Sequence, residues 1–235
     1  MPSPLFECTL GGRDVRIIAT DRSDGDIHPE RVPSGELATR QRSATGRKWT
    51  MVDEVHGTDV VDVTAADPWM PVVGVGDVIV TRDADLHIAV WSADCAPLFL
   101  LADDGTTVGA HAGWKGIAAG VIDVAVETVR RDGGQVRAAV LGQAIGPCCY
   151  EFGHDDLAVV AQRVHARPAE VTGRTPGGNT SLDVIAAVRS GLDHHGVALD
   201  VAGPCTGCDD RWFSHRIRGD RGRHATVASI GPESQ

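Results

Sequence analysis

Residues 96–131, APLFLLADDGTTVGAHAGWKGIAAGVIDVAVETVRR, change period part-way along, and that change decides the fold. Up to Ala112 the runs are short, apolar and β-branched, broken by Asp103-Asp104-Gly105, as strands of a sheet should be. From Ile117 to Arg131 the period becomes helical: Val121, Ile122, Ala125, Val126 and Val129 share one face, and Gly133-Gly134 ends the helix. Upstream, WTMVDEV from Trp49, DVVDV, DVIVT and HIAVW add further strands with a turn at Asp67-Pro68, and FECTL and VRII, joined by Gly11-Gly12, read as a hairpin. Downstream come a strand at Val136–Leu141, the turn-rich GQAIGPCCYEFG, a helix over 155–166 and the linker TGRTPGGNT. Thr180 or Ser181 is expected to cap the next helix, with Leu182, Ile185, Val188 and Leu192 inward; a strand at 198–202, the loop GPCTGCDDRWFSHR and a last strand, ATVASI, follow.

Strict βαβ alternation is absent, which argues against a Rossmann or TIM architecture. The expectation is one α+β domain over residues 1–235, with mixed or antiparallel sheets covered by helices. Residues 21–48 lack apolar periodicity and are rich in Asp, Ser, Gly, Arg and Pro, so they are expected to form a loop.

At 235 residues the chain can bury a core without staples, and 42% hydrophobic with 23% charged residues describes a globular protein. No apolar run approaches the roughly 18 residues a membrane helix needs. The start, MPSPLFECTL, has neither a basic head nor a continuous apolar core, so a cytoplasmic location is expected. Lys+Arg at 22 against Asp+Glu at 32 leaves a net charge of −10, which disfavours a nucleic-acid face. The six cysteines therefore raise thiol or metal chemistry ahead of a disulfide framework.

Val55-His56-Gly57, Ala93-Asp94-Cys95-Ala96-Pro97 and His111-Ala112-Gly113-Trp114-Lys115-Gly116 each set a possible metal ligand beside glycine or at a strand end. Two imidazoles and a thiolate from His56, Cys95 and His111 suit zinc and leave a fourth position open for water or substrate. Their spacing matches no compact zinc finger, so the fold must bring them together. A lone His is more often a surface or core residue, and a lone Cys often a small buried hydrophobe. Asp83, Asp85 and Asp94 are candidates to orient the imidazoles, Asp94 foremost because it adjoins Cys95. Cys205-Thr206-Gly207-Cys208 has the spacing of a redox pair or half a zinc site, but adjacent side chains diverge at Cys148-Cys149, so these four are read as structural or pocket-lining thiols.

These segments, with Ile145-Gly146-Pro147-Cys148, Cys205-Thr206 and Phe213-Ser214, resemble the zinc-dependent purine nucleoside phosphorylase family historically called multicopper polyphenol oxidoreductase or laccase-domain proteins. The resemblance runs from about Trp49 to Ile230 and sets His56, Cys95 and His111 on the family's metal-ligand positions. It implies phosphorolysis of adenosine, inosine, guanosine or methylthioadenosine with inorganic phosphate, zinc (Zn2+) as cofactor, and adenosine deamination. Under that resemblance Gly113, Trp114, Lys115 and Gly116 would bind substrate and Lys115 would hold phosphate. Glu54, two residues from His56 and on the same face of an extended strand, is a candidate proton shuttle from its position alone, and a solvated strand-edge carboxylate is an equal reading of it. No obligate protein partner is expected. The chain departs from the family in Glu54 for Gln, Lys115 for Arg and His215 for Tyr, and in residues 21–48, which lack the usual glycine-rich entrance. Lys supplies charge without the fixed fork of Arg. Two alternatives use the same residues: a hydrolase with Cys95 as nucleophile and His111 as base, and a non-catalytic metal-binding or protein-interaction domain.

Overall fold

In the computed structural model, which describes residues 3–10, 12–66, 68–131 and 133–233, strand Ala96–Ala102 is buried along its whole length. It lies inside a six-stranded mixed sheet, in the order 201–202, 136–141, 96–102, 107–112, 78–81, 60–63. The two outer pairs are parallel and the three inner pairs antiparallel. Alternation along the strand gives each face its own core. Leu98 and Leu100 pack with Val121, Ile122, Ala125 and Val129 of the covering helices. Phe99 and Leu101 pack against Val15, Ile17, Ile88, Val90 and Ile230 of a four-stranded antiparallel sheet ordered 3–10, 13–19, 224–233, 88–92. Burying each such side chain contributes roughly 1.5–3 kcal/mol.

The outer face of the second sheet carries Ala89, Ala225 and Val227, covered by Ile27, Val32, Leu37, Trp49 and Met51. The layers therefore run helices, six-stranded sheet, four-stranded sheet, then one further helix with its flanking chain. That last helix, Ser34–Thr45, occupies the stretch expected to be a loop. Its inward side is only Leu37, Ala38 and Gln41, and Gln41 exchanges hydrogen bonds with the backbone of Trp49 at 3.2 Å each way. A buried polar residue at the centre of the inward face conceals the apolar period.

Two other expectations change. The helix over 117–131 is two, Trp114–Ala119 and Val121–Arg130, divided at Gly120 with φ 104°. Thr180–Leu182 is a short strand paired with Thr172–Arg174, so the linker is a small hairpin, and Asp183 caps the helix Val184–His194 by accepting from Ala186 N–H at 2.9 Å. The 155–166 helix spans His154–Arg163, and the first hairpin pairs Ser3–Leu10 with Arg13–Ala19. Gly11 and Asp67 of the expected turns lie outside the described residues. Among the described residues no helix is long and apolar enough to cross a membrane. The architecture is a single α+β domain with mixed and antiparallel sheets covered by helices.

Candidate metal centre

Two loops and a strand end bring His56, Cys95 and His111 together, with ligand atoms within 4.8 Å of one another. Cys95 stands where the chain leaves strand Ile88–Ser92 of one sheet for strand Ala96–Ala102 of the other. That corner requires a φ of 108° at Asp94. A non-glycine residue held there costs on the order of 1–3 kcal/mol. Its carboxylate helps hold it, accepting from Thr206 Oγ1 at 2.6 Å and Arg216 N–H at 2.7 Å. His111 ends the buried strand Thr107–Ala112, paired with Pro97.

His56 lies beyond strand Met51–Asp53 with φ 62°, and the backbone N–H groups of Val55, His56 and Gly57 wrap one carboxylate, Asp77, at 3.2, 2.9 and 2.6 Å. Asp77 also accepts from His111 Nδ1 at 2.8 Å, which leaves His111 Nε2 facing the cluster. One buried carboxylate thus shapes the His56 loop and fixes the tautomer of His111. Sequence reasoning missed it. Asp83 and Asp85 are elsewhere, bonded to Ala65 N–H and Arg47, and the carboxylate of Asp94 engages Thr206 and Arg216 rather than an imidazole.

Cys95 Sγ is 3.7 Å from His56 Nε2, and the His56 and His111 rings meet edge-on with centroids 4.9 Å apart. Gly113 makes the approach possible, since a Cβ there would fall 2.7 Å from His56 Cδ2 and 3.1 Å from Cys95 Sγ. The donor set fits a divalent borderline metal: two imidazole nitrogens and a thiolate converge, and one imidazole is already oriented by a carboxylate. Burial opposes ionisation of Cys95, but the His111 charge and hydrogen bonds from His111 and His56 outweigh it and bring the thiol down to about 6. Burial likewise opposes charge on His111, yet Glu54, Cys95 and Asp77 hold its imidazole well above the ordinary range.

Glu54 is not a solvated strand-edge carboxylate. It is buried, accepts from Trp91 N–H at 3.0 Å and places Oε2 3.6 Å from His111 Nε2. The strand ends at Asp53, so alternation does not put Glu54 and His56 on one face; the fold brings Glu54 to His111 instead. Burial pushes its pKa up to about 8, with the His111 charge pulling the other way.

The cluster separates two cavities. One, of about 200 Å3, is walled by Trp114, Ile145, Tyr150, Val184 and Arg216; the other, of about 310 Å3, by Glu54, Trp91, Ser92, His111 and Arg223; His56, Cys95 and His215 line both. Lys115 is exposed, with Nζ 5.8 Å from the Trp114 ring centroid, and lines neither. Gly116 is buried against the carbonyls of Gly57 and His111. Tyr150, Arg216 and Arg223 were not singled out from the sequence, where each stands in a turn or loop without periodicity.

The fold and centre together define an α+β domain with an open imidazole–thiolate cluster on a cavity wall. Residues 22–231 match the model of the multi-copper polyphenol oxidoreductase laccase family, and the chain belongs to that family. It is 36% identical to a purine nucleoside phosphorylase of Xylella fastidiosa over 76% of this chain and 70% of the relative. A purine nucleoside phosphorylase of Streptomyces coelicolor is also 36% identical, over 94% of this chain and 87% of its own. The crystal structure of YlmD from Geobacillus stearothermophilus superposes with a TM-score of 0.76 at 24% identity, covering 96% of this chain and 93% of that one, and shares the fold.

Proposed function

We propose that the chain is a zinc-dependent purine nucleoside phosphorylase, acting on adenosine, inosine, guanosine or methylthioadenosine with inorganic phosphate, and that it also deaminates adenosine. The observation that carries this reading is the convergence of His56, Cys95 and His111 between two adjoining cavities, with His56 and Cys95 lining both and His111 lining the one that holds Glu54. Similarity to relatives named purine nucleoside phosphorylase supports it. Laccase chemistry calls for several copper centres, whereas among the described residues one candidate cluster contains imidazoles.

Zinc held by His56, Cys95 and His111 would supply Lewis-acid charge beside the reacting atoms. The rest is done by the chain. Trp114 and Tyr150 offer apolar walls to the purine, and Gly113 and Gly116 let the loop close on the ligands. Arg216 on the wall is the cation placed for phosphate, and Lys115, exposed beside Trp114 and outside the cavity, would reach phosphate only by turning inward. A phosphate oxygen bonds to ribose C1′ as the C1′–N9 bond breaks, and the purine leaves with the electron pair and takes up a proton. In deamination, Glu54, kept protonated by burial, gives its proton to purine N1 as water adds at C6; of the two water protons one passes to the amine, which departs as ammonia, and one returns to Glu54. All six cysteines are free, which fits a reducing compartment, and we place the reaction in the cytoplasm.

Chromatography of products from adenosine and inosine, with and without phosphate and chelator, tests the reading. Base plus ribose-1-phosphate, and inosine formed from adenosine without phosphate, are expected, both lost on chelation. Glu54→Gln should lower adenosine-to-inosine conversion more than inosine phosphorolysis. Product formation that survives complete zinc removal overturns the zinc mechanism. A second reading, a hydrolase with Cys95 as nucleophile and His111 as base, is supported by the approach of their ligand atoms to within 4.8 Å. Alkylation of Cys95 only after chelation supports the ligand role; equal alkylation with and without chelator favours the nucleophile.

A further inference from the structure

A second cluster lies behind Ile145 and Tyr150 of the cavity wall. Cys148, Cys149, Cys205 and Cys208 bring four sulfurs within 4.8 Å of one another. Sγ–Sγ distances are 3.0 Å for Cys148–Cys208, 3.5 Å for Cys149–Cys208 and 3.6 Å for Cys148–Cys205. The sequence argument that adjacent side chains diverge fails here, because the turn at 146–149 wraps the Cys205–Cys208 turn and both neighbours meet it. A parallel bridge between Ala144 and Cys205 fixes the two loops in register.

Two features point to a ligand rather than to chance crowding. The backbone N–H of Gly146 donates to the Cys205 sulfur at 3.1 Å. Such an amide stabilises a sulfur that carries negative charge, as a metal-bound thiolate does. Each pair is also flanked by a glycine whose missing side chain leaves the room. A Cβ on Gly207 would fall 2.8 Å from Cys149 Sγ, and one on Gly146 3.3 Å from Cys205 Cβ. A single disulfide would use two sulfurs and leave two thiols pressed against it. Tetrahedral zinc with Zn–S near 2.3 Å spaces its sulfurs about 3.8 Å apart and uses all four.

We propose that Cys148, Cys149, Cys205 and Cys208 form a closed four-thiolate zinc site, distinct from the cluster of His56, Cys95 and His111. Binding is ligand exchange without electron transfer: Zn2+ replaces the thiol protons, which pass to solvent. The ion clamps the turn that carries Tyr150 to the loop that carries Thr206, His215 and Arg216, so it holds two cavity walls together. The site does not depend on the activity proposed above.

Elemental analysis of full-length protein, purified under reducing conditions, should give about two zinc ions per chain in wild type and about one in Cys95→Ala. X-ray absorption at the zinc edge of Cys95→Ala should then show a shell of four sulfurs at about 2.3 Å, with no mutation in the cluster itself. Cobalt(II) substituted into Cys95→Ala should give strong sulfur-to-metal charge-transfer absorption, lost in Cys95→Ala combined with Cys205→Ser. A Cys95→Ala chain that is folded by circular dichroism but retains no zinc overturns the site. So does a disulfide among these four cysteines, shown by intact mass and peptide mapping of the reductively purified wild type. Neither result bears on whether nucleosides are cleaved.

Discussion

Asp77 concentrates four donors on one carboxylate: the amides of Val55, His56 and Gly57, and His111 Nδ1. Burial opposes its charge, but the His111 hydrogen bond and these amides hold its pKa below the usual carboxylate value. Asp77→Asn would aim an amide N–H at one of these donors and weaken the bond that fixes the His111 tautomer. Zinc affinity should fall about 10–100-fold, read by chelator competition, while circular dichroism shows the chain still folded. Unchanged affinity would remove Asp77 from the centre. The ligands themselves were legible, because His, Cys and His beside glycines carry recognisable chemistry. Asp77 was not, since it sits in the plain strand run GVGDVIV, 21 residues from His56 and 34 from His111, and only folding brings it to them. Asp94 misled by adjacency: the same corner that aims Cys95 inward turns the Asp94 carboxylate toward Thr206 and Arg216.

At the scale of elements, periodicity showed wherever one face is uniformly apolar, as along Val121–Arg130, and failed where a polar group does an apolar residue's work. Gln41 hid the helix Ser34–Thr45 in this way, and Gly120 broke a continuous pattern with a backbone conformation that periodicity does not register. The cap of Val184–His194 is a third case. Thr180, Ser181 and Asp183 all have capping side chains, and only the pairing of Thr180–Leu182 with Thr172–Arg174 decides that Asp183 is the cap. Asp183→Ala should therefore destabilise the fold by about 1 kcal/mol, whereas Thr180→Ala, whose hydroxyl is exposed beside His154, should cost less than half of that. Urea denaturation of the two variants checks the order. Equal losses, or a larger one at Thr180, would return the helix start to the earlier residue.

Across the whole molecule, acid sensitivity follows from which buried histidines are kept neutral. His224 opens the strand that joins the four-stranded sheet to the loop before it. It lies between Ser92 Oγ at 3.3 Å and Phe213 N–H, which donates to Nδ1 at 3.2 Å. Burial, with the charges of Arg223 and Arg22, pulls its pKa down to about 3. The unfolded chain takes up this proton near pH 6.5 while the folded chain does not, so stability falls as pH drops from that point toward the folded value. At about 1.36 kcal/mol per unit, His224 alone should cost roughly 2–3 kcal/mol between about pH 7 and about pH 4.5. His87, brought down to about 4 mainly by burial, acts in the same direction. The raised pKa values of Glu54 and His111 act the other way, because their folded forms hold protons that the unfolded chain releases. Asp220, at about 2 because Arg22, Ser214 N–H and Arg218 outweigh its burial, loses its contribution only in stronger acid. His224→Asn keeps an acceptor for Phe213 N–H and removes the titration, leaving every other group common to both chains. Denaturation at both pH values should show wild type losing about 2–3 kcal/mol more than the variant as pH falls. Parallel pH profiles for the two chains would mean that the His224 proton is not excluded by the fold.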